Sequence, residues 1–305
     1  MDATFAIHGV GLRLKSNNPA FISFAQNYFK GFEHSDSTDT IIDITIQWKP
    51  GFSLAWNPTS TGFSHHIGSN VTIDPVTGSC AIHDKEWHII IHKKEGSLIR
   101  AELSFKRNLL RHTANTLFTR GNLASRYYRA ALRILAQQLI FIELEKKGIN
   151  PYSAAAVAID NKAYIFAGLP GSGKSTISHF LRQQFDAEIL TENFVLTDGT
   201  YLYPFPEGNT VEHIGSIVIK EIYSISHGST FSVIPINSET MLHDLAIINA
   251  ITAELPEHSL ISASTLTTPP APKKAISWNS ITFYRLCTDA KLIEAKAYFT
   301  EHFSL

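Results

Sequence analysis

Apolar and polar residues in the first part of the chain follow two different periods. Residues 5–14 and 41–48 have the composition of strands, and the residues between Pro19 and Phe32 place apolar side chains at helical spacing. Residues 52–105 contain several short strand-like segments that glycines interrupt. This pattern predicts a small α+β domain at the start of the chain.

A longer helix is predicted in the middle of the chain, between Leu123 and Lys147. Its apolar positions at helical spacing are Tyr127, Ala131, Leu135, Leu139 and Ile142. Gly148 and Pro151 follow these positions and are typical of a helix end.

The second half of the chain alternates predicted strands with predicted helices. The predicted strands are residues 154–159, 163–166, 187–196, 214–226, 230–235 and 276–286, and the predicted helices are residues 176–181, 238–253 and 291–303. Asp160-Asn161 is a predicted hairpin turn, residues 201–209 are a predicted aromatic loop, and residues 262–275 are a predicted linker or lid. Such alternation is typical of an α/β fold.

These elements predict three parts in the chain. Residues 1–110 form a smaller α+β N-terminal domain, residues 111–150 form a connecting helix, and residues 151–305 form an α/β domain.

One segment of the third part carries a specific chemical pattern. Residues 168–176 match the phosphate-loop (Walker A) pattern, with Gly168, Gly173, Lys174 and Ser175 at its fixed positions. An apolar strand precedes the pattern and a predicted helix follows it, as the pattern requires. The predicted nucleotide-binding residues are Gly168, Leu169, Pro170, Gly171, Ser172, Gly173, Lys174, Ser175 and Thr176.

The residue types in this segment suit a bound polyphosphate. Glycines let backbone N–H groups turn toward a phosphate, and the following helix offers its unpaired N–H groups and positive dipole end. Lys174 is predicted to be a catalytic point charge for the β- and γ-phosphates, and the Ser175 hydroxyl is a predicted ligand of Mg²⁺.

The predicted strand at residues 187–196 has a polar interruption, the pair Glu192-Asn193. In phosphate-loop proteins a second strand delivers an acidic residue toward Mg²⁺, so Glu192 is a predicted metal ligand and catalytic residue. An ordinary carboxylate at a strand end is the alternative. Asn193 is a predicted catalytic residue that positions the metal or the acceptor, and Asp198 is a further candidate for the base.

Composition excludes several classes of partner. The chain has 26 basic and 27 acidic residues, so we expect neither nucleic acid nor a membrane as a partner. Two distant cysteines, no signal-peptide pattern and no apolar run of membrane-spanning length predict a cytoplasmic protein.

Missing motifs exclude several phosphate-loop classes. The chain has no Asn-Lys-x-Asp motif of GTPases and no Leu-Ser-Gly-Gly-Gln motif of transporter ATPases. Beyond the loop it has only Arg182 and Arg285, which disfavours kinases that close an arginine-bearing lid over the phosphates.

The chain resembles the HPr kinase/phosphorylase superfamily, especially the stand-alone HPr-kinase-like relatives found with peptide-modification gene clusters. The similar segments are residues 153–157, 168–176, 189–195 and 219–225, and the resemblance covers about 151–288. It implies an α/β core similar to that of phosphoenolpyruvate carboxykinase, with ATP and Mg²⁺ at the loop and a hydroxyl, often of serine, as acceptor. Relatives often form oligomers, so a homo-oligomer is one state that the resemblance implies.

Two positions depart from the pattern of those relatives. Ser153 stands where they usually carry a histidine, and Glu192-Asn193 stands where they carry two aspartates. Two carboxylates can divide metal binding and proton removal between them, and a carboxylate with an amide cannot divide them in the same way.

These observations together predict an ATP-dependent, Mg²⁺-dependent kinase. It would transfer the γ-phosphoryl group to a hydroxyl of a peptide, a protein or a small molecule. The alternatives are a nucleotide-binding partner protein that has lost transfer chemistry and a slow NTP hydrolase.

Overall fold

The chain consists of two compact units. In a computed structural model, the described residues are 1–32, 40–49, 65–67, 71–73, 80–83, 87–93, 98–105, 123–206, 215–228, 230–253, 278, 281–288 and 293–303. The first unit contains the described residues up to Leu144, and the second contains those from Glu145 onward.

Strands and helices of the described residues make a mixed α/β structure with two sheets. The strands are β1 (Asp2–Ile7), β2 (Val10–Ser16), β3 (Thr40–Lys49), β4 (His65–Ile67), β5 (Val71–Ile73), β6 (Cys80–His83), β7 (Trp87–Lys93), β8 (Leu98–Phe105), β9 (Asn150–Ile159), β10 (Lys162–Ala167), β11 (Glu188–Thr191), β12 (Phe194–Thr197), β13 (Tyr201–Tyr203), β14 (Ile217–His227), β15 (Ser232–Ile236) and β16 (Thr282–Thr288). The helices are α1 (Pro19–Tyr28), α2 (Leu123–Ala131), α3 (Gln138–Lys146), α4 (Lys174–Phe185), α5 (Ser238–Ala253) and α6 (Ile293–His302), with a π-helical segment at Leu132–Gln137. The predicted α/β class is therefore confirmed as a mixture of helices and sheets.

The first unit contains an eight-stranded sheet of order β1-β2-β3-β8-β7-β6-β5-β4. The strands β2, β3 and β8 are parallel, and the other neighbours are antiparallel. Helix α1 joins the parallel strands β2 and β3 and begins after Asn18, whose side-chain oxygen accepts hydrogen bonds from the N–H groups of Ala20 and Phe21. The N-terminal part therefore combines helix and sheet, as its sequence pattern predicts.

The prediction of one strand over residues 5–14 was wrong. The segment is a hairpin of β1 and β2, joined by the turn His8-Gly9 with φ values of 48° and 80°. Both φ values are positive, which suits a tight two-residue hairpin turn.

The predicted middle helix is interrupted by the π-helical segment between α2 and α3. A π turn inserts one extra residue and rotates the following turns relative to a regular helix. The buried side chains of α3 therefore include Ile140, Phe141 and Leu144, whereas the predicted inward positions Leu139 and Ile142 are only partly buried.

The sheet of the second unit closes on itself. Its strand order is β10-β9-β12-β13-β14-β16-β15, β11 also pairs with β9, and β10 pairs directly with β14. Strand β10 is antiparallel to β9 and parallel to β14, so it is hydrogen-bonded along both edges. The strands β10, β9, β12, β13 and β14 therefore form a closed circuit of pairings.

Strand β10 is also covered on both faces. Ala163 and Ile165 belong to a buried cluster with Met241 of α5, and the alternate residues Tyr164 and Phe166 belong to a second cluster under α4 and α6. Burial on both faces explains why residues 163–167 of this strand are apolar in succession instead of alternating with polar residues.

Several predicted elements of the second unit are confirmed. The hairpin turn Asp160-Asn161 has φ values of 50° and 57°, and helices lie at the three predicted places after residue 168. Residues 201–203 form β13 instead of the predicted loop, because they pair with β12 and β14. The predicted linker or lid, residues 262–275, lies outside the described residues.

None of the helices within the described ranges has the length and apolarity that crossing a membrane requires.

The packing of α4 allows a direct test of the second unit. Leu181 is fully buried in the cluster under α4, and its neighbour Arg182 is exposed. We expect Leu181→Ala to lower the free energy of unfolding by about 2–5 kcal/mol, because it removes buried methyl groups and leaves a cavity. Arg182→Ala should change it by less than about 0.5 kcal/mol. Urea unfolding followed by circular dichroism measures both, and equal effects would contradict the described packing.

Candidate functional site

The glycine-rich loop (residues 168–173) connects the end of β10 to the start of α4. The sequence predicted this strand, loop and helix in this order. Among the predicted nucleotide-binding residues, Gly168 and Ser172 are buried, Gly173 and Lys174 are partly buried, and Leu169, Pro170, Gly171, Ser175 and Thr176 are exposed.

The conformation of the loop depends on its glycines. Gly171 and Gly173 have φ values of 81° and 97°, in the left-handed region that favours glycine. A Cβ atom on Gly168 would overlap Ser172 Oγ and would lie 3.0 Å from the backbone oxygen of Ile225 in β14. Larger residues at these places would therefore disturb the loop.

The N-terminus of α4 faces the loop without a side-chain cap, because its N-cap residue is Gly173. The first N–H groups of a helix have no carbonyl partner within the helix and favour an anion. Ser172 is 7% exposed, and its buried hydroxyl has no hydrogen-bond partner among the described residues. The uncapped N-terminus suits a bound phosphate, whereas the enclosed Ser172 hydroxyl lies beside Gly168.

Lys174 bends back over the loop. Its Nζ donates hydrogen bonds of 2.8 Å to the carbonyl of Gly168 and 3.0 Å to that of Leu169. Burial lowers the pKa of Lys174 from the ordinary 10.5. An ammonium group has three N–H donors, so these two bonds leave capacity for a further acceptor.

Glu192 and Asn193 lie between β11 and β12, which both pair with β9. The N–H of Ala154 donates to the carbonyl of Asn193 at 3.2 Å, and Ala154 also pairs with Ala167 at the end of β10. Glu192 and Asn193 therefore lie at the same end of the strands as the loop. The strand β12 that follows them is two strands away from β10, which corresponds to about 10 Å between the two backbones.

His179 of α4 contacts the Glu192 carboxylate, with 3.0 Å between Nε2 and Oε1. His179 follows Ser175 by four residues, and residues at this spacing lie on one face of a helix, about 5–6 Å apart at Cβ. The structure thus brings the predicted metal ligands Ser175 and Glu192 to one side of α4. The sequence analysis missed His179, although its spacing from Ser175 could have indicated it.

Asp198, the further candidate for the base, caps a turn instead. Its Oδ1 accepts hydrogen bonds from the N–H groups of Thr200 and Tyr201, and its Oδ2 accepts one from the Tyr203 hydroxyl. Burial raises the pKa of Asp198, but these hydrogen bonds outweigh burial and hold it below the ordinary 3.8.

The sheet register also separates Asp198 from the loop. Thr197 pairs with Asn150, which is four residues, or about 13 Å, along β9 from Ala154 at the loop. The structure does not bring Asp198 to the loop.

His227 also contacts the loop and was missed by the sequence analysis, which placed it between two predicted strands. It is the last residue of β14, and its Nε2 lies 2.7 Å from the carbonyl oxygen of Gly171. In α/β sheets, ligands bind outside the carboxyl ends of parallel strands, and this position could have indicated His227.

The two arginines after the loop differ in their environments. Arg285 Nη2 donates to both carboxylate oxygens of Asp244 on α5, at 3.1 and 2.9 Å. Arg182 is an exposed residue of α4. Arg285 is therefore held by an ion pair of the second unit.

The donor set suits Mg²⁺ bound together with phosphates. Mg²⁺ is usually held by one or two carboxylates, a hydroxyl, waters and substrate phosphates. The described residues contain no cluster of three or more His, Cys, Asp or Glu side chains that could hold a metal by themselves. Ser175 and Glu192 would therefore hold Mg²⁺ only in combination with a bound phosphate.

Comparison with models of known protein families gave no match, and comparison with curated proteins gave none either.

The pKa of Asp198 leads to a pH-dependent test of its turn. Because its pKa is lower in the folded chain than the ordinary 3.8, its contribution to stability is present above that pH and is lost on acidification through the folded value. We expect Asp198→Asn to lower the free energy of unfolding at pH 7, by less than about 1 kcal/mol because the carboxylate is partly exposed. The difference should shrink below about pH 4.

Tyr203→Phe is the matched variant for this test, because it removes only one of the hydrogen bonds to Asp198. It should lose less stability at pH 7 than Asp198→Asn. Urea unfolding at pH 7 and at about pH 3 measures both variants, and a difference for Asp198→Asn that stays constant with pH would contradict the assigned role.

Proposed function

We propose that the second unit binds ATP and Mg²⁺ at the glycine-rich loop and transfers the γ-phosphoryl group to a hydroxyl. The proposed acceptor belongs to a peptide, a protein or a small molecule. Resemblance to HPr-kinase-like proteins and to the phosphoenolpyruvate-carboxykinase-type core motivates this choice of reaction.

One arrangement carries the proposal. The uncapped N-terminus of α4 and the ammonium of Lys174 lie at one loop, and Glu192 reaches the face of α4 that carries Ser175. An anion is stabilised by the helix N-terminus and the ammonium, and a divalent cation is stabilised by the carboxylate and the hydroxyl. A metal–polyphosphate complex presents both charges together.

Each residue would have a separate role in the reaction. The loop N–H groups and Lys174 would bind the phosphates and stabilise charge that develops during transfer. Ser175 and Glu192 would hold Mg²⁺, which supplies positive charge beside the transferred group. Asn193, which is exposed at the same edge of the sheet, would orient the acceptor or the metal.

A nucleotide-binding partner protein without transfer chemistry is the second candidate function. It is favoured by the single carboxylate at the pair Glu192-Asn193, together with the commitment of Asp198 to a turn. A carboxylate that binds the metal is not also available to take the proton of an acceptor hydroxyl. Binding without turnover would follow from this arrangement.

The test of the proposal is incubation with γ-labelled ATP and Mg²⁺, with label followed in protein, peptide, free serine and released phosphate. We expect label on an acceptor. Lys174→Ala should reduce transfer by on the order of 100-fold or more, as loss of one charge-stabilising donor does. Glu192→Ala should reduce it by at least about tenfold, since even outer partners of metal ligands have effects of this size.

Matched controls for these variants lie on α6. Lys296→Ala and Glu301→Ala remove an exposed lysine and an exposed glutamate of the same unit and should leave transfer unchanged. Binding of ATP without any transfer of label would favour the partner protein. Released phosphate that no acceptor accelerates would favour a slow NTP hydrolase, and absence of ATP binding would overturn both candidate functions.

A further inference from the structure

His227 reaches the glycine-rich loop from a distant part of the sequence. It lies 56 residues after Gly171, and β14 carries it there because Ser224 pairs with Ala167, the last residue of β10. Its ring also packs beside the next glycine of the loop, since a Cβ atom on Gly173 would lie 3.7 Å from His227 Cε1. The imidazole therefore contacts Gly171 and lies close to Gly173.

The contact fixes which ring nitrogen carries a proton. A backbone carbonyl oxygen only accepts hydrogen bonds, and Nε2 of His227 lies 2.7 Å from the carbonyl oxygen of Gly171. Nε2 must therefore be the donor, in the neutral as well as in the charged imidazole. In the neutral ring the acceptor nitrogen is then Nδ1.

Holding this carbonyl also orients the next N–H group. The carbonyl of Gly171 and the N–H of Ser172 belong to one trans peptide and point in opposite directions. The N–H of Ser172 is directed to the inner side of the turn, where it donates to the carbonyl of Leu169 at 3.0 Å.

Two hydrogen bonds hold this peptide: the N–H of Ser172 donates to the carbonyl of Leu169, and the carbonyl of Gly171 accepts from His227. Gly171 itself adds little restraint, because it has no side chain, its φ is 81°, and a Cβ atom there would meet nothing within 4 Å. A rotated peptide would direct the carbonyl oxygen of Gly171, instead of the N–H of Ser172, to the inner side of the loop. A carbonyl oxygen repels a phosphate, whereas an N–H group binds one.

We propose that His227 is a positioning residue that keeps the carbonyl oxygen of Gly171 turned away from the inner side of the loop, where a phosphate would bind. This inference rests on the proposed function, because it assigns to His227 a role in shaping the same phosphate site. The hydrogen bond from the His227 side chain to the Gly171 carbonyl provides this function. Another side chain with an N–H donor of similar reach should therefore be able to substitute for His227.

The test compares pyrophosphate and MgATP binding by calorimetry for the full chain and its variants. His227→Leu removes the donor and should weaken pyrophosphate binding about five- to tenfold, the size expected for one net hydrogen bond. His227→Gln retains an N–H donor and should stay within about threefold of the unmodified chain. His243→Leu, a substitution of an exposed histidine on α5, is the matched control and should leave binding unchanged.

The possible outcomes separate this inference from the proposed function. If the unmodified chain binds neither pyrophosphate nor MgATP, the proposed function fails and the inference fails with it. If the unmodified chain binds and His227→Leu binds equally well, only the inference is overturned. Equal losses for His227→Leu and His227→Gln would also overturn it, since the donor would then not be the relevant feature.

A second readout needs no ligand. Long-range ¹H–¹⁵N spectra of the imidazoles at alkaline pH, where a free imidazole is neutral, report which nitrogen carries the proton. We expect His227 to carry it on Nε2. A neutral His227 with its proton on Nδ1 would contradict the hydrogen bond to Gly171 and overturn the inference.

Discussion

The fixed end of β10 is the constraint on which the second unit depends. Strand β10 is hydrogen-bonded to β9 on one edge and to β14 on the other, and both of its faces are buried. A strand held on four sides cannot shift without breaking several pairings and exposing apolar side chains. The glycine-rich loop therefore starts from a rigid position, and α4 begins at a defined distance from it.

The two charged groups of the candidate site, Lys174 and Glu192, have different partners. The ammonium of Lys174 is held by two carbonyl groups of the loop. On the outer side of α4, the Glu192 carboxylate is paired with His179, and the exposed fractions of the two side chains are 26% and 56%. A partly exposed pair of this kind contributes little net energy, so it would not oppose the metal binding that we propose for Glu192.

The same sheet explains why carboxylates close in sequence have unlike environments. Glu192 lies between β11 and β12, near the end of β10, whereas Asp198 follows the far end of β12 and caps a turn with three hydrogen bonds. Glu192 and Asp198 are only six residues apart in sequence. Glu192 nevertheless lies at the same end of the strands as the loop, whereas Asp198 stabilises a turn. The choice between a kinase and a binding partner depends on whether Glu192 and Asn193 together suffice for transfer.

The sequence by itself determined the local elements of this protein, because their signals depend on residues only a few positions apart. It predicted the hairpin turn at Asp160-Asn161, the strand, loop and helix around residues 168–176, and the polar interruption at Glu192. It did not reveal the closed circuit of strands, the π-helical segment, or the contacts of His179 and His227 with the candidate site. Those features join residues that are distant in sequence or depend on packing against other elements, so only the tertiary structure could decide them.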